Sequence, residues 1–185
     1  TCKIVENLDQ LNIREETLII YLGDNGSPIE VSSYMGNQEI PGGKGKTIDT
    51  GTQVPLICNW KNNIPESIVS TDLVDSTDFL PTIFDAAALQ YPENYIVDGK
   101  SFYPQLTGEK GNPRDWIFFH FDAGGRNKKP IQRFLRNHLW KLYEDGRMFD
   151  MKNDLYETNP IFSEDDSKES KENRIKLEPL FLNLK

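Results

Sequence analysis

The sequence is short of the residues that most often announce chemistry or compartment. It holds 2 histidines and 2 cysteines in 185 residues. His120 and His138 each fall in a segment that reads as a strand, where a satisfied structural histidine is the expected role, and no Ser, His and Asp constellation can be read from spacing. Cys2 and Cys58 stand in no metal-ligand spacing; they could pair in an oxidising compartment or remain unpaired thiols. No apolar run approaches the roughly 20 residues that span a bilayer, so no membrane span is expected. An excess of positive charge is also missing. The formal charge is -8 and the sequence pI near 4.8, which argues against nucleic-acid or anionic-membrane partners, because both need a basic face. The start, Thr1-Cys2-Lys3-Ile4, lacks an initiator Met, a basic n-region and an apolar h-region, and reads as an excised piece.

What is present is ordinary globular material: 37% hydrophobic and 11% aromatic residues, enough for one core or one core and a satellite. Ile4, Leu8 and Leu11 recur on one face of a short helix. Thr17 to Leu22 is a continuous apolar run closed by Gly23, the pattern of a strand buried on both faces of a parallel sheet. Ligands collect beyond the carboxyl ends of such strands, which draws attention to the residues after Leu22. From Gly23 to Gly51 the spacing predicts a long ordered loop, and loops of that length inside a domain are usually functional. Val54 to Trp60 predicts a second short strand. Leu80, Ile83, Phe84, Ala87 and Ala88 predict a helix, with Asp78 as N-cap and Pro81 in the first turn.

Trp116 to Phe121, Ile131 to Leu135, His138 to Tyr143 and Arg147 to Met151 predict short strands in antiparallel hairpins, forming a smaller subdomain. Ser163 to Asn173 is a charged run read as a solvated linker, and Leu177, Leu180, Phe181 and Leu184 predict a closing helix despite Pro179.

Two motifs could carry chemistry. Asp24-Asn25-Gly26 follows the apolar strand; alone it is a favoured turn, but a carboxylate and an amide carbonyl are hard oxygen donors that could supply part of a calcium or magnesium shell. Gly42-Gly43-Lys44-Gly45-Lys46 is either an exposed turn or a loop whose backbone can approach an anion while Lys44 supplies a point charge. A Walker phosphate loop is excluded, since Gly45 rather than Ser or Thr follows Lys44.

The order of these pieces resembles the formylglycine-dependent sulfatase family of the alkaline phosphatase superfamily. The resemblance rests on Leu18 to Gly26, Gly43-Lys44-Gly45, Val54-Pro55-Leu56 to Trp60, Asp78 to Ile83, and Asp98-Gly99-Lys100-Ser101-Phe102. It continues through Leu106-Thr107-Gly108, Pro113-Arg114-Asp115, Lys141-Leu142 and Leu155-Tyr156-Glu157. It implies an α/β fold: the C-terminal part of an alkaline-phosphatase-like α/β sandwich over residues 1–110, then a small α+β subdomain with short antiparallel strands over 111–185. It also implies calcium ligation by Asp24 and Asn25, contact of Lys44 with the sulfate as the catalytic residue here, and a sulfated small molecule or sulfated glycan as substrate.

Departures accompany the match. Neither cysteine nor any serine lies in the family's Cys/Ser-x-Pro-x-Arg motif, so the formylglycine nucleophile and the remaining calcium ligands are expected upstream, and the fragment alone is expected to be inactive and to self-associate. Asp49-Thr50-Gly51-Thr52-Gln53 stands where the family often has Glu-Gly-Gly and an Arg. A periplasmic or secreted parent is the family expectation. A phosphodiesterase or phosphonate hydrolase of the same superfamily, or a non-catalytic binding module that keeps Asp24, Asn25 and Lys44 as turn residues, are the alternatives.

Overall fold

A computed structural model describes residues 2–122, 124 and 130–184. Thr1 and Lys185, the outer bounds of the two expected domains, lie outside the described residues. In chain order the elements are α1 (Cys2–Gln10), β1 (Ile19–Leu22), β2 (Ser32–Met35), β3 (Gln38–Pro41), α2 (Asp49–Thr52), β4 (Leu56–Asn59), α3 (Phe79–Ala86), α4 (Tyr103–Leu106), β5 (Ile117–Phe121), β6 (Gln132–Arg136), β7 (Trp140–Tyr143), β8 (Met148–Asp150) and α5 (Lys168–Leu177). They form two compact units, residues 1–23 with 55–114 and residues 24–54 with 115–185. The sequence reading put 24–54 with the first 110 residues; in the structure that segment belongs to the second unit.

In the first unit β1 pairs with β4, Ile19 opposite Asn59 and Leu22 opposite Leu56, and the pairing is antiparallel. The expected parallel strand buried on both faces is not found: Tyr21 is 50% and Ile57 59% exposed. The apolar run encodes a strand through its β-branched and aromatic residues, but among the described residues nothing covers its outer face. The same holds for Ile4 of α1 and Leu11 just after it, and for Leu80 and Ile83 of α3, all exposed. The side of α3 that packs instead carries Pro81 and Thr82.

Asp78 explains that inversion. It stands at the N-cap position of α3, as the sequence predicted, but its carboxylate makes no capping bond to that helix; the capping box belongs to Asp75 of the preceding turn, whose carboxylate accepts from the Thr77 amide while its own amide donates to Asp78 Oδ2 at 2.8 Å. Asp78 is 1% exposed and its carboxylate accepts from Lys100 N at 2.6 Å and from Arg114 Nε and Nη2 at 2.5–2.8 Å. Thr82, fully buried, donates to Asp78 O and accepts from Phe102 N. A buried polar centre in which both Asp78 oxygens and the Thr82 hydroxyl are hydrogen-bonded therefore ties α3 to the 98–102 turn and to Arg114. Gly99 is part of the same junction, because a Cβ there would meet the Thr77 carbonyl oxygen.

The second unit is built on the antiparallel sheet β5-β6-β7-β8. Alternation sends Leu135, Leu142 and Met148 to one face, where Trp140 and Leu177 join them, and Phe134, Tyr143 and Phe149 to the other with Met151. Each fully buried side chain of this kind contributes about 1.5–3 kcal/mol. α5 covers the first face. Its sequence, expected to be a linker, is a helix because Ser167 caps it by accepting from Ser170 N and because Arg174, 6% exposed, is fixed by Asp166 and by the carbonyls of Gly146 and Ile161. A 3-10 turn, Glu178–Asn183, closes the chain where Pro179 prevents α-helix continuation. The expected long loop also holds structure: β2 and β3 form a hairpin around Gly36-Asn37, with Gly36 at φ 63°. No helix is long and apolar enough to cross a membrane among the described residues.

Candidate active site

Asp24 and Asn25 begin the second unit. Asp24 is exposed, Asn25 half-buried, and Asp24 Oδ1 accepts from the Asn25 amide at 3.0 Å. Gly26 then donates to the Gly51 carbonyl at 3.0 Å, and a Cβ on Gly26 would run into the Thr50 carbonyl. Gly43 approaches the same place: a Cβ there would meet Thr50 Oγ1 and lie 2.5 Å from the Gly51 amide nitrogen. Gly51 in turn has no room for a Cβ beside the carbonyls of Gly43 and Lys46. Three glycines thus interlock, so that the residue after Asn25 and the residue before Lys44 rest on one turn of α2.

Lys44 itself is exposed, and its amide donates to Ser27 O at 3.0 Å. Among the described residues its ammonium has no acidic partner. Gly45 takes φ 77°, and Lys46 N closes the turn on Gly43 O at 2.9 Å. The turn can therefore offer a free cation and close backbone approach to an anion, beside two hard oxygen donors.

The donor chemistry of Asp24 and Asn25 fits a hard cation, which takes six to eight oxygens, and it fits only part of such a shell. No group of three or more His, Cys, Asp or Glu side chains arranged for a metal occurs among the described residues. His120 and His138 are exposed rather than built into the core. Cys2 and Cys58 are unpaired; Cys2 is exposed, and burial pushes the Cys58 thiol up to about 11.

Sequence reasoning gave no role to the residues beneath the 47–51 turn. Lys141, fully buried in β7, donates to the Thr47 carbonyl and to Glu157 Oε1, the latter at 2.6 Å. Tyr143 Oη lies 2.5 Å from Glu157 Oε2 and 2.8 Å from Thr47 Oγ1. Arg136 Nη2 holds Asp49 Oδ2 at 2.7 Å. Burial lowers the Lys141 pKa against the opposing pull of Glu157 and Asp49, and burial together with the bond to Glu157 raises that of Tyr143, which stays a neutral phenol. The available signal was Lys141 itself, a charged residue inside the otherwise apolar Trp140-Lys141-Leu142-Tyr143 strand.

The family profile described as Sulfatase matches residues 1–89. Over 183 residues, 89% of the chain, the sequence is 30% identical to a sulfatase of Formosa agariphila and covers 32% of it. This is, over part of its length, a sulfatase-family chain. An arylsulfatase of Hemicentrotus pulcherrimus is 32% identical over 119 residues, which are 64% of the chain and 21% of that relative. Among solved structures, one described as a complex with its substrate D-glucosamine-2-N,6-O-disulfate superposes with a TM-score of 0.77 at 20% identity, over 98% of the chain and 37% of its own. Ps i-CgsB in complex with k-i-k-neocarrahexaose gives 0.69 at 24% identity, over 95% and 37%. The chain spans about a fifth to a third of the length of the curated relatives it matches. Its fold is that of the corresponding part of the alkaline-phosphatase-like sulfatase structures, a mixed α and β arrangement with short antiparallel strands.

Proposed function

We propose that the protein to which these residues belong hydrolyses sulfate esters, with sulfated glycans as the substrate class. The observation that carries this reading is the interlock of Gly26, Gly43 and Gly51, which seats the oxygen-donor pair and the cationic turn on one short helix. Asp24 and Asn25 would contribute oxygens to a calcium ion, and Lys44 would bind the sulfate and hold its ammonium near the ester oxygen on which charge develops. When bound, calcium supplies positive charge at the sulfuryl oxygens, and a formylglycine outside these residues supplies the attacking oxygen. The open backbone at Gly45 lets the anion approach closely, while Gly43, packed on Thr50 and Gly51, anchors the turn that carries Lys44.

Family membership supports this reading, as do the sulfated substrate that the first solved structure's description names and the free cation beside hard donors. By the same reading the protein is exported, and the 185 residues alone release no sulfate. Their exposed β1–β4 face favours self-association, an expectation that a clean monomer in light scattering overturns.

The test is sulfate release from 4-nitrocatechol sulfate by the full-length protein. Lys44→Ala is expected to lower the rate by about 100-fold or more, the scale for one charge-stabilising donor, and Asp24→Asn to weaken calcium-dependent thermal stabilisation. Unchanged rates in both variants refute the assignment; faster turnover of a phosphate diester transfers it to the phosphodiesterase reading.

A further inference from the structure

The buried cluster under the 47–51 turn lies outside the residues just assigned, yet it bonds directly to Thr47 and Asp49 of the segment that carries them. Lys141 is held between the Thr47 carbonyl and Glu157, with its ammonium 4.0 Å over the Phe134 ring and 3.9 Å from Asp49 Oδ1. Tyr143 touches Thr47 Oγ1, which donates to Gln132 Oε1 at 2.9 Å, and Arg136 fixes Asp49, the first residue of α2. Four side chains from β6 and β7 thus grip Thr47 and Asp49. Directly after Asp49, Thr50 and Gly51 form the surface on which Gly26 and Gly43 rest without space for a methyl group.

We propose that Lys141, with Glu157 and Tyr143, is a positioning residue that sets the placement of Asn25 and Lys44 through this turn. A buried ammonium with a paired carboxylate is a poor source of net stability, since desolvation offsets most of the attraction. What it does supply is a single geometry: the ammonium donates to the Thr47 carbonyl and to Glu157 Oε1, and Glu157 Oε2 is taken by Tyr143, so the Thr47 carbonyl is held in one place. The glycine contacts then transmit that place to both halves of the site, because backbone packed against backbone has no side chain to absorb a shift. The functional meaning rests on the sulfatase reading above; the mechanical claim does not.

The experiment is amide hydrogen exchange in the full-length protein, read at Gly26, Lys44 and Lys46, in Tyr143→Phe and Lys141→Met. The control is Leu177→Ala, which removes a core contact on the opposite sheet face and touches none of these partners. Tyr143→Phe is expected to speed exchange at the three amides about tenfold beyond the control at matched global stability, and to raise KM for the sulfate ester more than it lowers kcat. Exchange that follows global stability alike in both variants overturns the proposal. If Lys141→Met does not fold, Tyr143→Phe decides alone, since loss of one hydroxyl leaves the ring packing in place. An unaffected rate in Lys44→Ala would refute the sulfatase role of that lysine while the exchange result still judges the positioning.

Discussion

Replacing Arg114 by Met should destabilise the first unit by about 3–5 kcal/mol, the cost of leaving a buried carboxylate without its charge partner. The size follows from the surroundings. The side chains of Arg114 and Asp78 are 11% and 2% exposed, so solvent cannot take over the abandoned charge, and the amides of Asp75 and Lys100 are the donors left to it. Burial pulls the Arg114 pKa down, but the bond and charge of Asp78 outweigh it and raise the pKa overall, so the guanidinium keeps its charge. The double variant Arg114→Met/Asp78→Asn removes both charges and should cost roughly 2 kcal/mol less than the sum of the single changes. Urea unfolding of the three variants, with the slope checked for constancy, measures all of these quantities. Arg114→Lys should recover little, because one ammonium cannot reproduce the two-pronged contact through Nε and Nη2. A cost for Arg114→Met below about 1 kcal/mol, or strict additivity in the double variant, refutes the reasoning and puts the pair with ordinary surface bridges.

Three further outcomes are expected. Arg174 holds the Asp166 carboxylate below its ordinary range, so this pair adds stability above about pH 4 that is lost as the pH falls through the depressed value; acid titration of Asp166→Asn should lack that loss. Ser167→Ala removes the cap of α5 and should cost about 1 kcal/mol in thermal or chemical unfolding, whereas an unchanged midpoint would show that Arg174 alone starts the helix. Iodoacetamide at pH 8 should label Cys2 well before Cys58, whose thiol burial keeps it protonated; equal labelling by mass spectrometry contradicts that.

How much of this was legible in the sequence differs from element to element for physical reasons. The four strands of the C-terminal sheet could be placed because each is a short segment rich in aromatic and aliphatic residues with polar residues on either side. β1 was recognisable as a strand but not in its pairing, since a run of apolar residues states a preference for burial without naming the neighbour that provides it. α5 was missed because its anchors are Ser170 and Arg174, polar residues buried by specific bonds, and a hydrophobic period cannot register them. The hairpin around Gly36 was missed for the related reason that its strands are almost wholly exposed. Asp24, Asn25 and Lys44 could be singled out by residue type and by the family's order of motifs. The glycines that bring them to one turn were visible as glycines, but the contact that requires them to be glycine exists only in three dimensions. Lys141 and Glu157 were likewise seen as a signature without a role.

The grip of β7 on Thr47 joins residues 94 and 96 positions apart in the chain. During vectorial synthesis the turn bearing Lys44 leaves the ribosome long before Lys141, Tyr143 and Glu157 exist to hold it. Closing so distant a contact is slow and comes after local structure has formed. The turn that bears Lys44 is therefore among the last parts of this chain to mature, and a nascent chain stopped short of Glu157 would carry the motif without its shape.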